Sequence, residues 1–247
     1  MCGIVGFISK TTPRNLDAVK NLLLESQIRG KHSTGVTYVF NSELKTVSYP
    51  ISSTQFINEY WSEIEHDLIQ ENKIVLIGHT RYATSGDYLQ PVTNSDNTAA
   101  LVLNGVITQE DFSNWEKLFN LNNFKTENDA EIFLKWIESN ASLSSMYKKY
   151  HYTCAYIYLN LKKGEMQIGR TGDRPLYYSI FQNRDIVFTN DDYIAFGSTK
   201  AILSRAKIKS VNFMPCNFST IIDFKSQNKL YTVRNIEAID TVELQKN

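Results

Sequence analysis

Between Gly3 and Ile8 the chain is almost continuously apolar and rich in strand formers, and the pattern changes after Pro13. Leu16, Val19, Leu22, Leu23 and Ile28 then recur at helical spacing, which predicts a helix from about Asn15 to Gln27. Gly35 to Phe40 and Leu44 to Tyr49 predict a hairpin turning at Asn41-Ser42. Ile57, Trp61, Ile64 and Leu68 mark a second amphipathic helix. Buried-strand runs follow at Ile74–His79 and Ala99–Val106, with helices predicted near Gln109–Phe119 and Asp129–Ser139. Strand patterns then prevail at Tyr152–Leu161, Glu165–Gly169, Leu176–Phe181, Ile186–Thr189, Asn217–Asp223 and Leu230–Val233.

Strands and helices do not alternate one-to-one, as a βαβ fold would require. Two antiparallel sheets packed face to face, with helices over both outer faces, accommodate the pattern. There is no internal repeat, and the polar stretch Asn120–Glu127 is too short to separate domains. The expectation is one domain over residues 1–247.

Composition narrows the class. A chain of 247 residues with 42% hydrophobic content can bury a full core. Lys+Arg and Asp+Glu number 26 each, so no net field draws the protein to nucleic acid or to an anionic membrane, and direct binding to either is not expected. No apolar run approaches the roughly 18–20 residues of a membrane span. The N-terminus lacks the basic region, long apolar stretch and small-residue cleavage site of a secretory signal. Cys2, Cys154 and Cys216 are odd in number and widely spaced, which suits reduced thiols and a cytoplasmic setting. His32, His66, His79 and His151 form no spaced cluster with them, so neither a metal nor a cofactor is expected.

The sharpest chemistry sits at Cys2. Removal of Met1 would leave a thiol and a free α-amine on one residue. Such an amine has a pKa of about 7.7–8.0, close enough to neutrality to act as general base for the thiol. Taken alone, Cys2 reads more readily as a small core residue opening a strand.

Four further segments change that balance: Arg29-Gly30-Lys31-His32-Ser33-Thr34-Gly35, Gly78-His79-Thr80-Arg81-Tyr82-Ala83-Thr84-Ser85-Gly86, Leu103-Asn104-Gly105-Val106 and Thr126-Glu127-Asn128-Asp129-Ala130-Glu131. Arg81 offers a planar fork suited to a carboxylate, or an ordinary ion pair. Asp129 is placed to stabilise a helix N-terminus, whether or not it has a ligand. Asn104-Gly105 fits a hairpin turn, although no partner strand follows it.

In order and content these segments resemble the glutaminase domain of class II glutamine amidotransferases, an N-terminal-nucleophile hydrolase family. Members open with Cys-Gly-Ile-x-Gly after Met removal, matched here by Cys2-Gly3-Ile4-Val5-Gly6, and the resemblance runs through at least Tyr178. It implies an α+β, four-layer αββα sandwich of two antiparallel sheets and a glutaminase that forms a Cys2 γ-glutamyl thioester. Asn104 and Gly105 would form the oxyanion hole. Arg81 would take the substrate α-carboxylate and Asp129 its α-ammonium, with Tyr82, Thr84 and Ser85 completing the substrate site.

Departures occur at His32, where relatives carry an acidic or polar residue, at Tyr82 in place of Trp, and at Ser85 in place of His. Gly172-Asp173-Arg174-Pro175-Leu176-Tyr177-Tyr178 resembles a further family segment, although the Arg-Asp usual before it is here Gly169-Arg170. The sequence shows no acceptor domain, so L-glutamine and a separate ammonia-accepting synthetase are the expected partners, with nucleobase or nucleotide modification one setting for them. An autonomous hydrolase of γ-glutamyl or related amides and a catalytically silent binding or regulatory module are the alternative readings.

Overall fold

The computed structural model describes residues 2–83, 88–172, 174–181, 192–225 and 232–238. Its strands are β1 (Gly3–Lys10), β2 (Ser33–Phe40), β3 (Glu43–Tyr49), β4 (Lys73–Arg81), β5 (Val92–Thr93), β6 (Ala99–Val106), β7 (Thr153–Asn160), β8 (Glu165–Arg170), β9 (Tyr177–Phe181), β10 (Tyr193–Gly197), β11 (Asn212–Phe213), β12 (Phe218–Asp223) and β13 (Thr232–Ala238). The helices are α1 (Pro13–Ser26), α2 (Ser53–Ile69), α3 (Trp115–Phe119), α4 (Ala130–Glu138), α5 (Leu143–Tyr150) and α6 (Lys200–Arg205). The strands form a seven-stranded sheet, ordered β11-β9-β10-β1-β4-β2-β3, and a six-stranded sheet, ordered β13-β12-β8-β7-β6-β5. The strand pairings are antiparallel.

Alternation along the strands decides the layering, because successive side chains leave a strand on opposite faces. In β1, Val5 and Phe7 pack with α1, α2 and α6 residues such as Leu22, Trp61 and Ile202, outside the first sheet. Ile4 and Ile8 instead join Ile77, Val102, Ile157 and Ile168 between the two sheets. On the outer face of the second sheet, Leu101, Leu103 and Tyr156 pack against Trp115, Phe133, Trp136 and Leu143 from α3, α4 and α5. These three apolar interfaces make four layers, the αββα arrangement expected from the sequence.

Local chemistry starts the elements where the pattern placed them. Thr12 caps α1 by accepting from Asn15 N, with Pro13 opening the helix, and Ser52 caps α2 in the same way. Asn41 and Ser42 have φ of 51° and 60°, as a two-residue hairpin of matching twist demands.

One helix is shorter than expected, and α5, β10, α6 and the two-residue strands β5 and β11 were not expected. The helix expected over Gln109–Phe119 is a 3-10 turn at Phe112–Asn114 followed by the short α3, which ends at left-handed Asn120. α5 escaped the periodicity because only Leu143 in it is fully buried. β10 escaped because all five of its residues are buried, leaving no alternation to read. The expected strand Ile186–Thr189 lies outside the described residues, as do Leu230 and Tyr231.

Gly6 supplies a test of the inter-sheet packing, since a Cβ there would lie 2.9 Å from Ile157 Cδ1 and 3.3 Å from Phe196 Cδ2. Gly6→Ala is expected to cost about 1–3 kcal/mol by overpacking and Ile157→Val about 0.5–1.5 kcal/mol. The double variant should cost less than the sum, because Val lacks the clashing methyl. Chemical denaturation of the four proteins measures the coupling, and strict additivity would show that these side chains do not meet as described.

Candidate active site

β1 begins and β4 and β6 end on the same side of the sandwich. A cavity of about 380 Å³ opens there, with Cys2, Arg81, Tyr82, Gly105 and Asp129 all in its lining. Asn104, which precedes Gly105 in β6, is not in the lining and is 2% exposed. Thr84 and Ser85 lie outside the described residues. A larger basin of about 680 Å³ lies across the Val106–Asp111 segment and has none of the expected site residues in its lining, so size alone does not locate the site.

Close backbone approach fixes the Cys2 end. A Cβ on Gly3 would lie 2.5 Å from Thr80 Oγ1 and 2.8 Å from Ser26 O, so no larger residue fits after the cysteine without a shift. Thr80 Oγ1 donates to Ser26 O at 2.8 Å, and Arg29 Nε donates to Cys2 O at 3.3 Å. On the other edge of β1, Ile4 N donates to the buried Ser198 Oγ at 2.8 Å. Ser198 was not singled out in the sequence, and nothing local marks it.

Asn104 and Gly105 are strand residues, paired with Ala155 and Cys154, and form no hairpin turn. A Cβ at Gly105 would stand 2.2 Å from Thr153 O, so glycine is required for β6 to reach the cavity in this register. Asn104 Nδ2 is buried and has no hydrogen-bond partner among the described residues. A buried amide donor left in this state costs about 1–3 kcal/mol, unless a ligand oxygen completes it.

Asp129 stands at the N-terminus of α4 and makes no side-chain capping bond to its own helix. Its Oδ2 instead accepts from Ile107 N at 2.8 Å, tying the start of the helix to the segment leaving β6. Burial raises the Asp129 pKa, opposed by the backbone N–H groups of Ile107, Thr108 and Ala130. Glu131, also buried, gathers the preceding turn by accepting from Lys125 N at 2.9 Å and from Thr126 N at 2.8 Å. Across the cavity the Arg81 guanidinium lies 5.6 Å from the Tyr88 ring centre, and Tyr88 Oη donates to Glu127 Oε2 at 2.8 Å.

His79, quoted above only as part of a segment, proves to be buried in the sheet. It faces Ile4 and Gly35 across its neighbouring strands and is 1% exposed. Burial, followed by the positive charge of Arg81, lowers its pKa to about 3, with the Leu103 carbonyl pulling weakly the other way. The imidazole is therefore neutral near physiological pH. Burial pushes the Cys154 thiol up, making it a poor nucleophile, and the exposed Cys216 contacts Gly172 O and Asn217 instead. Of the cysteines, Cys2 is the one on this cavity. Among the described residues no group of three or more His, Cys, Asp or Glu side chains could hold a metal, and no helix is long and apolar enough to cross a membrane.

The profile of the glutamine amidotransferase domain family matches residues 64–244. This chain belongs to that family. A curated relative, glutamine–fructose-6-phosphate aminotransferase (isomerizing) of Clostridium acetobutylicum, is 30% identical over 137 residues, covering 53% of this chain and 21% of the relative. In fold, the chain is similar to the glutamine phosphoribosylpyrophosphate amidotransferase of B. subtilis complexed with ADP and GMP, with a TM-score of 0.66 at 17% identity. A structure described as the allosteric regulatory enzyme of purine biosynthesis gives a TM-score of 0.69 at 20% identity. Each likeness covers 97% of this chain, which spans 50% and 49% of the two structures.

Glutamine amidotransferase domains act on the side-chain amide of glutamine, so the expected class of enzyme stands. The electrostatics of this domain make a stability test available at Asp129. Its folded pKa is raised, so its contribution to stability is fully present below the unfolded carboxylate pKa and is lost as pH rises through the folded value. Asp129→Asn removes that penalty. The variant is expected to gain stability relative to wild type as pH rises from acid to neutral, in thermal melts across that range. A relative loss over the same interval would mean that the carboxylate is stabilised in its charged form.

Proposed function

We propose that this chain hydrolyses the side-chain amide of L-glutamine, with Cys2 as nucleophile once Met1 has been removed. The observation that carries the reading is the convergence of Cys2, Arg81, Gly105 and Asp129 on one cavity, with the unpartnered Asn104 Nδ2 on the residue preceding Gly105 in β6. The Arg81 fork receives the substrate α-carboxylate and Asp129 its α-ammonium, which offsets the cost of a buried carboxylate. Tyr82, with Thr84 and Ser85, completes the substrate site.

The freed α-amine of Cys2 takes the thiol proton, and the thiolate attacks the amide carbon. The amide oxygen becomes an oxyanion received by Asn104 Nδ2 and Gly105 N–H. Collapse breaks the C–N bond, and the proton held on the α-amine leaves with the nitrogen as ammonia. Water then attacks the γ-glutamyl thioester, giving its proton to the amine. The sulfur departs, is reprotonated and glutamate is released. His79 stays neutral throughout and takes no proton.

We also propose that residues 1–247 act as one glutaminase domain that supplies ammonia to a separate synthetase. Tyr82, 52% exposed, and Val106, 38% exposed, give the cavity mouth an apolar rim that supports such a contact.

Intact-mass measurement of active protein is expected to show a chain starting at Cys2. Cys2→Ala should abolish glutamate release, while Cys216→Ala leaves it within about twofold of wild type, as a surface change outside the cavity lining should. Full activity with Met1 retained would eliminate the N-terminal amine as base.

Binding and chemistry separate at two other positions. Asn104→Ala is expected to lower kcat about 100–1,000-fold with little change in KM, because its donor is engaged as the oxyanion forms. Arg81→Lys keeps the charge and loses the fork, so it should act mainly through KM. Steady-state kinetics giving the two phenotypes exchanged would show that recognition and oxyanion stabilisation have been assigned to the wrong residues.

A further inference from the structure

Segment 29–32 touches both halves of the site. On one side Arg29 Nε donates to Cys2 O at 3.3 Å. On the other, Gly30 lies so close to the end of β4 that a Cβ would fall 2.1 Å from Arg81 C and 2.3 Å from Tyr82 N. His32 then makes three contacts with consecutive residues of that edge. Its backbone N donates to Arg81 O at 2.9 Å, its ring stacks on Tyr82 at 5.0 Å between centres, and its Nδ1 accepts from Ala83 N at 2.8 Å.

We propose that His32 is a positioning residue for the glutamine site, holding the Arg81–Ala83 edge at the distance from Cys2 that substrate requires. The inference rests on the glutaminase reading above. A backbone amide can only donate, so the Nδ1 that faces Ala83 carries no proton and the neutral ring keeps its hydrogen on Nε2. The ring is exposed, so the core does not require it, and its polar contact is spent on a residue adjoining the cavity lining. An acidic residue in its place could accept the same amide proton but could not stack on Tyr82. The His32–Tyr82 pair thus adds a ring contact to the polar one at the mouth. Losing the latch frees the Arg81 fork to sample orientations that miss the carboxylate, which weakens substrate binding and leaves the reacting atoms unchanged.

Full-length wild type, His32→Ala and His32→Asn, with the Asn side-chain oxygen as the replacement acceptor, test this in one experiment. His32→Ala is expected to raise KM for glutamine roughly three- to tenfold, the size of one net hydrogen bond, with kcat little changed. His32→Asn should recover part of that loss. Hydrogen exchange read at the Ala83 amide should accelerate in His32→Ala and be slowed again in His32→Asn. Unchanged KM in His32→Ala, a fall in kcat alone, or equal defects in the two variants would overturn the assignment. If wild type releases no glutamate, the glutaminase reading fails by itself, and the exchange at Ala83 still decides whether His32 holds that edge. An Ala83 amide indifferent to both substitutions overturns the latch whatever the activity.

Discussion

The antiparallel register of β1 against β4 is the constraint on which the site depends. Gly3 faces Thr80 and Ile4 faces His79, so the residue before β1 and the last residue of β4 meet at one edge. A slip of one residue would send Ile4 and Ile8 to the helix-covered face and turn Val5 and Phe7 inward. Both faces of this sheet are buried and carry different shapes, so such a slip has no acceptable packing. The core thus supplies the precision at Cys2, even though Cys2 contributes little to the core.

Three polar groups at that edge are kept in states a purely structural design would avoid. Asn104 has a buried donor without a partner, His79 is buried and neutral beneath a cation, and Asp129 is a buried carboxylate whose charge is penalised. Each sits on a rigid element or at its terminus. Local violations of good polar packing are tolerated where function uses them and the surrounding elements are well packed. Asp129 illustrates the balance, because its link to Ile107 N also joins α4 to β6 and so serves the fold while leaving the charge available.

The sequence was informative where a physical requirement is local. Strand alternation and helical spacing were compatible with two helix-covered sheets, because each side chain's burial depends on its own parity or phase, and the family resemblance implied the four layers. The order of the Cys2, Arg81, Asn104-Gly105 and Asp129 segments pointed to residues of which the fold brings Cys2, Arg81, Gly105 and Asp129 to one cavity. Hairpin and strand are both permitted to Asn-Gly by propensity; the lack of a following partner strand favours the strand, and the pairing of Gly105 with Cys154 bears it out. Ser198 and His79 were not legible locally. Ser198 bonds Ile4 across 194 residues of sequence, and the neutral state of His79 is created by strands that come from different parts of the chain.

Glycine shows how the two kinds of information combine. Gly3, Gly30 and Gly105 stand out in the sequence only as members of motifs, and a motif does not say what the missing side chain makes room for. In the fold each marks a place where two backbones approach more closely than a Cβ permits: β1 on β4 and the end of α1, the turn after α1 on the end of β4, and β6 on β7. Those approaches fix Cys2 against the end of β4 in one sheet and the Asn104-Gly105 strand against β7 in the other. Movement at any of them is transmitted through backbone contacts, which side-chain rotation cannot absorb. A site assembled in this way gains its geometry from folding itself and leaves its side chains free for chemistry.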